Sequence, residues 1–156
     1  MKALVSFILA VAIPVLSSGQ VTRLSAKHRK ALEDASRFRQ FYSTTNLPTA
    51  VIALCADQNG RLANPAQKWQ ATDVINEPGL PRKRLAWAAT DGQYNVVHYI
   101  RDGIGFSIHI LVARLIAGDN KASFLWHGVG HHLKDYEAFV AALKGDSLDD
   151  SRDYAR

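Results

Sequence analysis

The chain has 156 residues, 47% of them hydrophobic and 21% charged, with a formal net charge of +5. That composition excludes an intrinsically disordered chain, and the length suits one ordinary domain with a genuine core. No fixed-period repeat runs through it, and a single cysteine excludes an intrachain disulfide framework and a cysteine-built structural zinc site.

The first segment has the three-part order of a secretory signal peptide. Met1 and Lys2 give a positive start, residues 3–16 are almost entirely apolar, and Ser17, Ser18 and Gly19 supply small residues at a cleavage boundary. The apolar run is shorter than the roughly 20 residues that span a bilayer, so no transmembrane anchor is expected after cleavage. The expected divisions are a signal peptide over 1–19, one domain over 20–145 and a polar tail over 146–156. Cleavage after Ser17 fits the small-residue pattern as well as cleavage after Gly19. The expected compartment is the periplasm or the secreted medium of a bacterium, since no Asn-x-Ser/Thr sequon occurs. Export argues against a nucleic-acid partner, while the positive balance favours an anionic one.

Residues 24–42 read as a helix, with Leu24, Ala31, Leu32, Ala35, Phe38, Phe41 and Tyr42 at helical spacing and Ser25 as its N-cap. Asn46-Leu47-Pro48 breaks it. Residues 49–55 then read as a buried strand, a short apolar run closed by the turn signal Asp57-Gln58-Asn59-Gly60. Cys55 lies in that run and is expected to be a buried, inert thiol. From 61 to 84 periodicity fades and Pro65, Pro78, Pro81 and Gly79 accumulate. A connection this long is often functional. It carries Trp69, a candidate for stacking on a ligand or for anchoring the loop. It also carries the carboxylates Asp73 and Glu77, and the basic run Arg82-Lys83-Arg84, which suits a phosphate, a carboxylate or a solvated strand start.

Residues 85–90, 93–101, 106–116 and 121–129 read as four strands of an antiparallel meander, the first two joined by the type I′ hairpin signal Asp91-Gly92. Residues 135–144 then read as a helix with Asp135 as N-cap and Gly145 just past its end. The expected fold is α+β: an N-terminal helix, an antiparallel sheet of about five strands and a C-terminal helix. Alternation places Leu85, Trp87, Tyr94, Val96, His98, Ile100, His109, Leu111, Leu115, Phe124 and Trp126 on one face. Ala86, Ala88, Asn95, Val97, Tyr99, Arg101, Ile108, Ile110, Val112, Arg114, Leu125 and His127 fall on the other. The first face is expected to pack on helices. The second is expected to stand partly open or under the long loop. An even-length loop at 102–105 sets His98 opposite His109; an odd one flips the assignment.

No nucleophile elbow, P-loop or dinucleotide fingerprint occurs. The leading expectation is therefore an exported, non-catalytic binding or interaction module. Its surface would carry Asn95, Tyr99, Arg101 and Trp69, and its partner would be a protein or a small anionic ligand. The alternative is a metal-binding protein. His98, His109, His127, His131 and His132 lie in the C-terminal half, and imidazoles ligate zinc or copper where three or four donors converge. The simpler role for each is a satisfied core hydrogen bond or an exposed turn. A second alternative is a small hydrolase, which needs a pocket holding a histidine and a carboxylate within hydrogen-bond reach.

Overall fold

The computed structural model describes residues 23–72, 77–129 and 132–148. The leader at 1–19, Asp73, His131 and tail residues 149–156 lie outside them. Among these described residues three α-helices and five strands follow in the order α1 (Ala26–Leu32), β1 (Arg39–Phe41), α2 (Thr49–Cys55), β2 (Lys83–Thr90), β3 (Tyr94–Arg101), β4 (Ser107–Leu115), β5 (Ala122–Val129) and α3 (Tyr136–Lys144). The strands form one antiparallel sheet in sequence order, so the expected α+β class and the C-terminal meander hold. Among the described residues no helix is long and apolar enough to cross a membrane.

The N-terminal half departs from the sequence reading in two places. The helix expected over 24–42 ends at Leu32. The Asp34 carboxylate accepts from the Ser36 backbone N–H at 3.2 Å and from its hydroxyl at 2.6 Å. This local bonding competes with helical continuation and opens a 3-10 turn instead. Phe38 is then extended, and Arg39–Phe41 becomes the fifth strand, pairing with Thr90, Ala89 and Ala88.

The run 49–55 is helix α2, not a strand. The Pro48 carbonyl accepts from Val51 and Ile52 N–H at 2.9 and 3.0 Å, and Val51 and Cys55, four residues apart, are fully buried on one side of the helix. A short apolar run does not distinguish strand from helix by periodicity, and the proline at the helix entry was the signal that does.

Both sheet faces are covered. Trp87, Val96, Ile110, Val112 and Trp126 pack with Leu32 of α1 and with Tyr136, Phe139, Val140 and Leu143 of α3. On the opposite face Leu85, Ala88, Val97, Tyr99 and Leu111 pack against Val51 and Cys55 of α2, together with Leu47 and Leu62. The face expected to stand partly open is thus a second core. Burying each valine-sized side chain contributes about 1.5–3 kcal/mol.

The face assignment changes for a specific reason. Arg101 pairs with Ser107, which leaves the odd-length loop 102–106 and inverts β4 relative to the even-loop expectation. Tyr99 therefore sits opposite His109, and His98 opposite Ile110. A register shift between Leu85 and Trp87 sends those neighbours to opposite faces. A second, at Val112/Ala113, puts Trp126 beside Val112 while Phe124 pairs with Ala113.

The β2–β3 turn is centred one residue later than expected. Asp91 N–H bonds the Tyr94 carbonyl at 3.3 Å, and only Gly92 (φ 91°) takes the left-handed conformation. At the start of α3, Asp135 caps Ala138 N–H at 2.8 Å as expected. Gly145, however, stays right-handed, and Asp146 (φ 52°) makes the left-handed turn.

Candidate functional site

At one end of the sheet a cavity of about 330 Å³ opens between the turn after α2, the start of β2 and the end of β3. Arg82, Lys83 and Arg101 line it with the carboxylates of Asp57 and Asp102. Antiparallel pairing of Lys83 with Arg101 brings the two cations to the same end.

Both carboxylates already have partners. Asp57 accepts from the backbone N–H of Asn59, Arg61 and Arg82 at 2.9, 3.0 and 3.0 Å. Burial alone would raise its carboxyl, but those three N–H groups outweigh burial and hold it below its ordinary value. Asp102 is buried and takes the Arg82 guanidinium. Lys83 donates to the Ala56 carbonyl at 2.9 Å. Burial first, and then the neighbouring Arg101, push its amine below the usual lysine range. A cation held in that setting gains from a nearby anion.

Lys83 links the cavity to a buried cluster. Its ammonium lies 5.3 Å from the centre of the Tyr99 ring, and that ring stacks on His109 at 5.0 Å. His109 Nδ1 meets His127 Nε2 at 3.0 Å, the Tyr99 hydroxyl reaches the same Nε2 at 3.3 Å, and Ser107 Oγ meets His109 Nε2 at 2.7 Å. Burial, then His127, Lys83 and Arg101, push His109 down to about 3, so its ring is neutral near pH 7.

The sequence-selected residues divide as follows. Arg101 lies at the cavity, whereas Asn95 and Tyr99 are buried inside the sheet and face no open surface. Trp69 is half-buried, away from the cavity, with the Arg84 guanidinium 4.9 Å from its ring centre and Ala63 bridging to Arg84 beside it. Glu77 forms an exposed ion pair with Lys68. His109 and His127 converge. His98 is on the opposite face, stacked on Trp87 at 5.2 Å, with His132 at 6.4 Å from it. Among the described residues no group of three or more His, Cys, Asp or Glu is arranged to hold a metal ion. Arg82 and Lys83 were visible in sequence as a basic run. Their meeting with Arg101, Asp57 and Asp102 was not, because it depends on the β2–β3 register.

Chemically, the cavity is lined by three cations and two carboxylates, Arg82 being paired with Asp102, so its lining keeps a net positive charge suited to holding an anion. The chain Ser107–His109–His127 resembles a nucleophile with a base and an orienting group. A base that protonates only near pH 3 is a feeble proton acceptor at neutral pH, which weakens a hydrolase reading. Compared with known proteins, the chain matches no family model, no curated protein and no solved structure.

Proposed function

We propose that this chain is an exported, non-catalytic binding module whose cavity takes a small anionic ligand. The observation that carries the reading is the convergence of Arg82, Lys83 and Arg101 on one cavity whose carboxylates are already bonded. Relative to the sequence expectation, the binding surface moves from the sheet face at Asn95 and Tyr99 to the sheet end at Arg101. The apolar run after Lys2 supports export to the periplasm or the medium, where nucleic acid is not the expected partner. A ligand that binds only the native state raises its stability. Adding inorganic phosphate should therefore raise Tm in the wild type and raise it less in Lys83→Met. An equal rise in both would refute the site.

A second reading, metal capture, is favoured by the His109–His127 contact. Two imidazole nitrogens, of His109 and His127, lie 3.0 Å apart with a tyrosine hydroxyl beside them, a donor set that zinc or copper accepts. Lys83 and Arg101 oppose it: burial and His127 do most to keep His109 unprotonated, and the two cations that add to this repel a dication as well.

A further inference from the structure

The β3–β4 loop leaves the cavity directly: Arg101 and Asp102 line the cavity, and Gly103, Ile104, Gly105 and Phe106 form the tip. Ile104 is 97% exposed and Phe106 63%. Single exposed apolar residues are ordinary, but turn tips favour glycine and polar residues. Here two large apolar side chains stand within three positions of each other at a projecting tip. Gly105 (φ 82°) supplies the left-handed bend that turns the chain there.

The base of this tip is cationic. Lys83 pairs with Arg101 and Arg84 with Ile100, so Arg82, Lys83, Arg84 and Arg101 gather on two adjacent strand ends. Cations flanking an apolar wedge match the two layers of a bilayer surface, anionic headgroups outside and acyl chains within. Among the described residues the other exposed large hydrophobic side chains are Ile116 and Phe124, at the β4–β5 end opposite the cavity, and Tyr42, just after β1.

We infer that the cavity end of the sheet docks on an anionic phospholipid bilayer, with a headgroup phosphate among Arg82, Lys83 and Arg101 and with Ile104 and Phe106 in the acyl boundary. This rests on the anion-binding reading and names the anion's source. The cavity, at about 330 Å³, has room for a phosphate group. The tip enters without opening the core, since both side chains already face outward.

The test uses the full chain and vesicles of phosphatidylcholine alone or mixed equally with phosphatidylglycerol. The apolar segment at 3–16 is common to every arm, so quenching at position 104 is the readout that reports on the tip itself. The expected results are stronger binding to the mixed vesicles, quenching of Ile104→Trp fluorescence by brominated acyl chains, and roughly tenfold weaker binding in Ile104→Ser/Phe106→Ser. Both positions are exposed, so these variants leave the fold intact. No quenching in Ile104→Trp, or equal vesicle affinity in the double variant, overturns the docking.

Calorimetry with inorganic phosphate runs beside it. If phosphate binds the wild type and binds Arg101→Met roughly tenfold more weakly, yet the tip stays unquenched, docking is wrong and the anion site stands. If phosphate does not bind and Arg101→Met leaves vesicle binding unchanged, the anion site and the headgroup placement both fail.

Discussion

His109 and His127 share a hydrogen bond at 3.0 Å on adjacent central and edge strands, both buried, on the sheet face beneath α2. Two imidazoles so placed cannot both become charged without repulsion and loss of hydration. Burial, with His127 beside it, keeps the His109 ring neutral in the folded state.

Stability should therefore fall as pH drops below the unfolded histidine range. His109 in the native state protonates only near 3, against an ordinary value of 6.5. Between those values the unfolded chain binds the extra proton, so stability decreases with falling pH by up to about 1.4 kcal/mol per unit. Asp57, held below the ordinary carboxylate range, adds its own loss only at lower pH, as it protonates through its native value. Urea unfolding at pH 7, 6 and 5 should show this slope. His109→Gln should flatten it. An unchanged slope in the variant would mean that His109 is not the titrating group.

Cys55 should be unreactive in the native state. It is fully buried in α2, its thiol donates to the Val51 carbonyl at 3.4 Å, and burial pushes its pKa up to about 12. A thiol reagent at pH 8 should label it only after denaturant is added. Prompt labelling without denaturant would show that α2 does not stay seated on the sheet.

Gly128→Ala should be destabilising by about 1–3 kcal/mol. A methyl group there would overlap the Trp126 indole, which lies across the glycine within the helix-covered core. The midpoint of urea unfolding measures this directly. A neutral result would mean that Trp126 has another place to pack.

Titration with zinc or copper should give only weak, non-stoichiometric binding, since Lys83 and Arg101 oppose a dication beside His109. One equivalent bound tightly, and lost in His127→Ala, would establish the metal reading instead.

The legible parts of the fold were those with long periodic patterns and local turn chemistry. Strands 83–90 to 122–129 and the Asp135-capped helix came within one or two residues of their expected limits. The rest depended on competition over short distances. Asp34 and Ser36 ended a helix that spacing alone would have continued, and Pro48 started one where β-branched residues suggested a strand. One residue of loop parity at 102–106 then decided which histidine met which. The basic run at 82–84 was visible, but its partner Arg101 lies across a strand pair whose shift at Leu85/Trp87 no local pattern announced.

The most direct test of the cavity is a calorimetric titration of inorganic phosphate into wild type, Lys83→Met and Arg101→Met at low ionic strength. The expected result is one-site binding to the wild type, weakened roughly tenfold in each variant and further by added salt. Equal affinity in all three, or no heat in the wild type while the protein remains folded, would contradict an anion site at Arg82, Lys83 and Arg101.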